Sequence, residues 1–86
     1  MVLMRATDHD IHAFVVNNFL FGQNGDALRN DDSFLENEII DSTGVLELVT
    51  FLERTYEIVV EDEDLVPENL DSVNRVVAFV NRKLLE

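Results

Sequence analysis

The sequence predicts an all-α fold, a four-helix bundle with one short helix and a long loop between helices one and two. Apolar residues recur at three- and four-residue spacing in separate segments, as they do along one face of a helix. No two segments show the alternating pattern of paired strands. The chain has 86 residues, of which 47% are hydrophobic, so it can bury one modest core. We therefore expect a single domain spanning residues 1–86.

The first helix is predicted over residues 8–21. Thr7 followed by Asp10 forms a capping arrangement at its start. The apolar residues that follow share one helical face up to Gly22: Ile11, Phe14, Val15 and Phe19.

A long loop is predicted between the first two helices. Gly22 begins a stretch rich in turn formers, and the polar segment that continues to Ser33 has no clear period. A loop of about 20 residues is unusual in so small a domain and is more often functional than idle. We expect the apolar residues near its end to pin it to the core: Phe34, Leu35, Ile39 and Ile40.

The second helix is predicted over residues 42–55. One continuous apolar stripe faces the core, formed by Val45, Leu48, Val49, Leu52 and Tyr56. The opposite face is polar and should be exposed to water. It consists of Thr43, Glu47, Thr50 and Arg54, and Glu53 lies beside it. Leu46 falls near this polar face, and we expect it to be partly exposed.

The remaining segments complete the bundle. Residues 58–60 are expected to be buried extended chain, since no second strand is available to pair with them. The acids at 61–64 predict one short helical turn that ends at Pro67. Asp71 or Ser72 can cap the last helix, which has basic residues at its C-terminus and an apolar stripe of Val73, Val76, Val77, Val80 and Leu84.

The negative charge is concentrated in one part of the chain. The formal net charge is −12, and residues 31–74 contain fourteen acids and one base, Arg54. Such a field repels nucleic acids and anionic membranes and favours proteins that present basic patches. The plainer alternative is a solvated surface that keeps a small protein soluble.

Several kinds of site are excluded by residue type and spacing. The chain has no cysteine, which excludes a disulfide scaffold and a cysteine nucleophile. His9 and His12 lack a third ligand, so we predict no metal site. The acidic runs do not fit a calcium loop, because Leu35 or Val66 would occupy a ligand position. No glycine-rich phosphate loop and no nucleophile with a base partner are present.

From the sequence we expect neither a targeting signal nor a membrane-spanning segment. The first residues lack a basic start followed by a long apolar run, and no segment is long enough for a membrane helix. A cytoplasmic protein is therefore expected. The terminal Leu85-Glu86 has the form of a cloning remnant and is given no functional role.

Asp41-Ser42 lies where the second helix begins. A serine at a helix start is usually a cap. A phosphodiester formed there would also lie beside free backbone amides, at the positive end of the helix dipole. Asp41 opposes such an anion by repulsion, so its presence asks for another explanation, such as contact with a modifying enzyme.

The segment from Ile39 to Val49 resembles the phosphopantetheine attachment motif of acyl and peptidyl carrier proteins, in which Asp-Ser opens the second helix of a four-helix bundle. The resemblance extends over nearly the whole chain, in order. The other matching segments are Asp32-Ser33-Phe34-Leu35, Phe51-Leu52-Glu53 with Tyr56, the acidic turn, and Asn69-Leu70-Asp71-Ser72-Val73.

The resemblance implies an acyl carrier protein and not an enzyme. Ser42 would receive phosphopantetheine from coenzyme A through a phosphopantetheinyl transferase and carry acyl intermediates as thioesters in fatty-acid, polyketide or related biosynthesis. The partners would be loading and processing enzymes with basic docking patches, and the carrier would be a monomer. By position, the partner-facing surface would comprise Asp41, Thr43, Gly44, Leu46, Glu47, Thr50 and Glu53.

The chain also departs from the family pattern. Thr43 stands where leucine is usual, Gly44 where an acid is common, and Glu38 where many relatives have glycine, while Arg54 interrupts the acids. These departures leave attachment intact and favour a specialised, free-standing carrier. Two alternatives stay open: an aminoacyl or peptidyl carrier of a synthetase pathway, and an unmodified acidic helical adaptor that docks a basic partner through the same helix face.

Overall fold

The computed structural model describes residues 5–20 and 27–86, and within them it confirms the predicted all-α bundle with one short helix. The last helix contacts the other three helices and so lies at the centre of the packing. No helix in the described ranges combines the length and apolarity that crossing a bilayer requires. The helices are α1 Asp8–Phe19, α2 Ser42–Tyr56, α3 Pro67–Leu70 and α4 Val73–Leu84, with a 3₁₀ turn at Asp62–Asp64.

The helix starts follow the capping chemistry of the sequence. The Thr7 side chain accepts a hydrogen bond from the Asp10 amide, which confirms the predicted cap of α1. Of the two candidates for the cap of α4, Ser72 has that role, since its side chain accepts from the Arg75 amide. The first helix ends at Phe19, earlier than predicted, and Leu20 is its C-cap. Gly22 and the turn-forming residues after it lie outside the described residues.

The connection between α2 and α4 differs from the prediction at Pro67. The acids form the expected short turn at Asp62–Asp64, but Pro67 begins α3 and does not end the preceding turn. Proline is well suited to a first helical position, because the amide it lacks would have no partner there and its φ is already helical. Ahead of this turn, Ile58 is buried as predicted, whereas Val59 is 65% exposed because alternate residues of an extended segment face opposite sides.

The core consists of the predicted stripes together with residues of the loop. In α2 the buried residues are Leu48, Leu52 and Tyr56, while Val45 and Val49 are half-buried. Phe14 of α1 stacks on Phe51 of α2, with their ring centroids 3.9 Å apart. The last helix buries Val73, Val76 and Val80 of its predicted stripe, whereas Val77 and Leu84 of that stripe are half-buried. It also buries Phe79, which was not predicted.

The end of the long loop is anchored in the core by three of the four apolar residues predicted to do so. Phe34 and Ile40 are fully buried, as predicted, and Ile39 is half-buried. Leu35 was expected in the core as well, and this prediction is wrong, since the side chain is 49% exposed. A tight turn explains the difference: the Ile39 amide donates to the Phe34 carbonyl oxygen at 2.8 Å, which directs Phe34 inward and its neighbour outward.

Candidate functional site

Ser42 is the first residue of α2, and its side chain is exposed. The N-cap is Asp41, whose Oδ1 accepts from the Gly44 amide at 2.7 Å. The Ser42 hydroxyl is therefore not needed for capping, and it makes no hydrogen bond within the described residues. The interpretation of Ser42 as a cap does not hold in this structure, and Asp41 has a structural reason to precede it.

The start of α2 is suited to a negative group on Ser42. The first helical bond runs from the Val45 amide to the Asp41 carbonyl oxygen at 3.0 Å. The amides of Ser42 and Thr43 precede this bond and have no helical carbonyl to donate to. They point towards the solvent end of the helix, where the positive end of the dipole also lies. The Asp41 carboxylate is partly compensated by its hydrogen bond to Gly44.

An apolar cavity of about 370 Å³ opens beside Ser42. The start of α2 forms one side, the end of the long loop forms a second, and residues 65–71 form the third. Its lining is apolar except for Ser42 and Asp71, so it suits a hydrocarbon group better than a charged one. The lining residues are Phe34, Leu35, Ile40, Ser42, Val45, Leu46, Leu65, Val66, Pro67, Leu70 and Asp71.

Four of the predicted partner-facing residues share one exposed face with Asp41 and Ser42: Thr43, Leu46, Glu47 and Thr50. Leu46 is 61% exposed, as predicted, and it also lines the cavity. The Thr50 hydroxyl donates to the Leu46 carbonyl oxygen at 2.9 Å. Glu47 is exposed and has no such partner among the described residues, so it presents its charge to solvent. The structure thus places an exposed leucine next to an unengaged carboxylate within two turns of Ser42.

Gly44, predicted to face a partner, packs instead against the end of α1. A Cβ atom added there would lie 2.8 Å from Cε1 of Phe19 and 3.0 Å from Cγ2 of Ile40. Both distances are shorter than an ordinary carbon–carbon contact. The glycine therefore allows α1 and the loop to approach α2 closely, which explains why no acid stands at this position.

Glu53, also predicted to face a partner, is occupied within the fold. Its Oε2 accepts from the Val60 amide at 3.0 Å, and the residue is half-buried. This bond ties the extended segment after α2 back to the helix. The carboxylate is consequently less available to a partner than that of Glu47.

Of the residues that line the cavity, only Ser42 and Leu46 were predicted to belong to the site. Among those that were missed, Leu35, Leu65 and Asp71 bear most on its shape. Leu35 and Leu65 are exposed leucines at its rim. Asp71 was considered only as a cap, yet its carboxylate accepts from the Ser33 hydroxyl and the Leu35 amide. The sequence gives one signal for Leu35 and Leu65: both are apolar residues that belong to none of the helical stripes.

The two histidines considered in the sequence do not line the cavity beside Ser42. His9 is exposed, and Nε2 of His12 lies 3.2 Å from the Leu28 carbonyl oxygen. Within residues 5–20 and 27–86, no three side chains of metal-ligating type are grouped. Burial is the main cause that raises the pKa of Tyr56, and nearby Asp10 adds to it.

Comparison of the chain with models of protein families, with curated proteins and with solved structures finds no match. The interpretation of the site therefore depends on its own geometry. An exposed hydroxyl stands at a helix N-terminus, between an apolar cavity and a surface that carries a leucine and a free carboxylate. Such an arrangement can accept a covalently attached group, shelter an apolar part of it, and leave the adjoining helix face open to another protein.

Proposed function

We propose that this chain is a carrier protein whose Ser42 is esterified by phosphopantetheine. The observation that carries the proposal is the Ser42 hydroxyl, which is exposed and makes no bond to a described residue, since Asp41 caps the helix. The resemblance of Ile39 to Val49 to a carrier attachment motif supports the same assignment. When attached, the arm supplies the thiol that this cysteine-free chain lacks, so that acyl groups can be held as thioesters.

The residues around Ser42 fit a phosphodiester. The Ser42 oxygen would attack the pyrophosphate of coenzyme A, forming one phosphorus–oxygen bond while the bond to the adenosine bisphosphate leaving group breaks. The hydroxyl proton would pass to a base of the transferase, since no base among the described residues is bonded to Ser42. The free first-turn amides and the helix dipole stabilise the added charge.

The cavity favours an apolar acyl cargo over a charged aminoacyl one. Apart from Ser42, its only polar lining residue is Asp71, whose carboxylate oxygens are already engaged by the loop. A buried ammonium group without a partner would be costly, whereas a hydrocarbon segment would gain from burial. We therefore prefer fatty-acid, polyketide or related cargo to the cargo of an aminoacyl or peptidyl carrier.

The test is covalent modification of the purified chain. Incubation with coenzyme A and a promiscuous phosphopantetheinyl transferase should add the mass of one phosphopantetheine group. Ser42→Ala should prevent the gain and keep the thermal unfolding midpoint, because Asp41 still caps α2. Thr55→Ala, which removes an exposed hydroxyl at the other end of α2, is the matched control and should be modified normally. An unmodified wild-type chain, alongside a known carrier that accepts the arm, would reject the proposal.

An unmodified adaptor is the second candidate, and the exposed Leu46 beside the free Glu47 favours it, because this face exists without any arm. It predicts that Ser42→Ala leaves binding to a basic partner intact and that Glu47→Lys abolishes it at low salt. A carrier that docks only in its modified form would lose binding with Ser42→Ala. Comparing the two variants against one partner separates the two functions.

A further inference from the structure

The walls of the cavity beside Ser42 come from parts of the chain that are distant in sequence. Phe34, Leu35 and Ile40 of the loop form one wall, and residues 65–71 form the wall across from it. Covalent geometry does not fix the distance between these walls. It depends on core packing of Phe34 and Ile40 and on the hydrogen bonds that join the loop to the segment between α3 and α4.

Asp71 provides three such bonds at one residue. The Ser33 hydroxyl donates to its Oδ2, and the Leu35 amide donates to its Oδ1 at 2.9 Å. The Phe34 amide donates to its backbone carbonyl oxygen, also at 2.9 Å. The Ser33 hydroxyl oxygen in turn accepts a hydrogen bond from the Glu36 amide. The turn that directs Phe34 inward is therefore part of the same network.

Capping does not account for the Asp71 carboxylate. Ser72 caps α4 with its own side chain. Asp71 follows the last residue of α3, and there it contributes only its backbone amide, which donates to the Pro67 carbonyl oxygen. Both carboxylate oxygens are directed to the loop instead. Hydrogen bonds to a charged acceptor are stronger than those between neutral groups, which suits a carboxylate that holds two segments together.

We propose that Asp71 is a positioning residue that joins the loop to α3 and thereby sets the width of the cavity beside Ser42. The width limits the cross-section of the group that the cavity can shelter. As it concerns cargo, the inference rests on the proposed carrier function. As it concerns the cavity, it applies to the unmodified chain and can be tested there.

Two variants release the junction to different extents. Ser33→Ala removes the hydroxyl, and with it the bond to Asp71 and the bond accepted from the Glu36 amide. It keeps the bonds from the Phe34 and Leu35 amides to Asp71, so it should remain folded. Asp71→Asn keeps the shape of the side chain and removes its charge. The matched control is Asp32→Ala, which removes another acid of the same loop and the bond that its Oδ2 accepts from the Arg29 amide, without touching a cavity residue.

The first measurement uses the unmodified chain and the neutral fluorophore N-phenyl-1-naphthylamine. Both junction variants should bind it about threefold more tightly or better than the wild type, a change within the range that one net hydrogen bond provides. Asp32→Ala should match the wild type. Unchanged binding in Ser33→Ala and Asp71→Asn, or an equal gain in Asp32→Ala, would overturn the inference.

The second measurement uses the modified chain loaded with a linear acyl group or with a ring-bearing acyl group of equal carbon number. Transfer of each group to a small free thiol reports how well the thioester is sheltered. The junction variants should slow transfer of the ring-bearing group relative to the linear one by about threefold. An unaltered ratio in both variants would refute the role in cargo selection. A wild type that accepts no arm would refute the carrier proposal, and the fluorophore result would still decide the role of Asp71.

Discussion

The two ends of α2 use their polar groups in opposite ways. At its N-terminal end, the Ser42 hydroxyl and the Glu47 carboxylate are exposed and free of bonds to the described residues. Towards its C-terminal end, Glu53 binds the Val60 amide and Tyr56 is buried. The first end therefore offers unsatisfied groups to other molecules, while the second uses them to organise the chain that follows.

Gly44 shows that even the open end of α2 depends on packing. Gly44→Glu should lower the free energy of unfolding by about 3 kcal/mol, because its Cβ would overlap Phe19 and Ile40. Thr43→Glu adds the same charge at the preceding exposed position and should change stability by no more than about 0.5 kcal/mol. Chemical denaturation of both variants measures the difference. Equal stabilities would show that α1 moves away from α2 at little cost.

Glu47 and Glu53 allow the two ends of α2 to be compared with the same kind of residue. Glu47 lies towards the N-terminal end and Glu53 towards the C-terminal end. Glu53→Ala should cost about 1 to 2 kcal/mol, because the half-buried Val60 amide loses its acceptor. Glu53→Gln keeps an acceptor oxygen and should recover most of that loss. Glu47→Ala should leave the denaturation midpoint unchanged. A similar loss for both alanine variants would mean that charge, and not the Val60 bond, decides their effect.

Features that depend on contacts between residues close in sequence could be predicted, whereas features that depend on contacts between distant residues could not. The Thr7 cap and the buried Leu48 and Leu52 follow from local spacing, and they were predicted correctly. The exposure of Leu35 was not, because its amide is held by Asp71, a residue distant in sequence.

The same limit applies at the start of α2. Sequence places Asp41 and Ser42 at a helix start, but a shift of one residue decides which of them is the cap. The role of Gly44 depends on Phe19 of another helix. The cavity beside Ser42 exists only once loop, α2 and α3 have come together, so its lining could not be predicted from any single stripe.

A substitution at Tyr56 tests the C-terminal end of α2, and we expect it to change stability only slightly. Its hydroxyl is buried and has no hydrogen-bond partner in the described part of the chain. Tyr56→Phe removes this group and should stabilise the fold by up to about 1 kcal/mol, since a desolvated hydroxyl without a partner is unfavourable. The denaturation midpoint gives the sign. A clear loss of stability would show that the hydroxyl is satisfied in solution, with Asp10, whose charge helps raise the pKa of Tyr56, as a candidate acceptor.

The smallest effect is expected where the acidic turn meets the end of α4. Nζ of Lys83 lies 2.8 Å from Oδ2 of Asp64. The hydrogen bond from Lys83 is the main cause that lowers the pKa of Asp64, and the same bond raises the pKa of Lys83. The pair therefore stabilises the fold above the ordinary aspartate pKa of about 3.9 and ceases to do so as the pH falls through the lower pKa of the folded state.

Lys83→Met isolates this pair from the other acids of the chain. Near neutral pH it should lower the melting temperature slightly more than Arg54→Met, which removes an exposed cation that has no ion pair among the described residues. The difference between the two variants should shrink as Asp64 becomes protonated in the folded state. At the alkaline end, it should shrink again as the pH rises through the raised pKa of Lys83, because the wild-type charge is then lost. Methionine keeps an unbranched apolar stem, so a difference that stays constant from neutral to acid pH would show that Lys83 acts through the contact of its ammonium group with the Phe79 ring, 6.0 Å from the ring centroid. The C-terminal end of the fold would then not depend on the ion pair with Asp64.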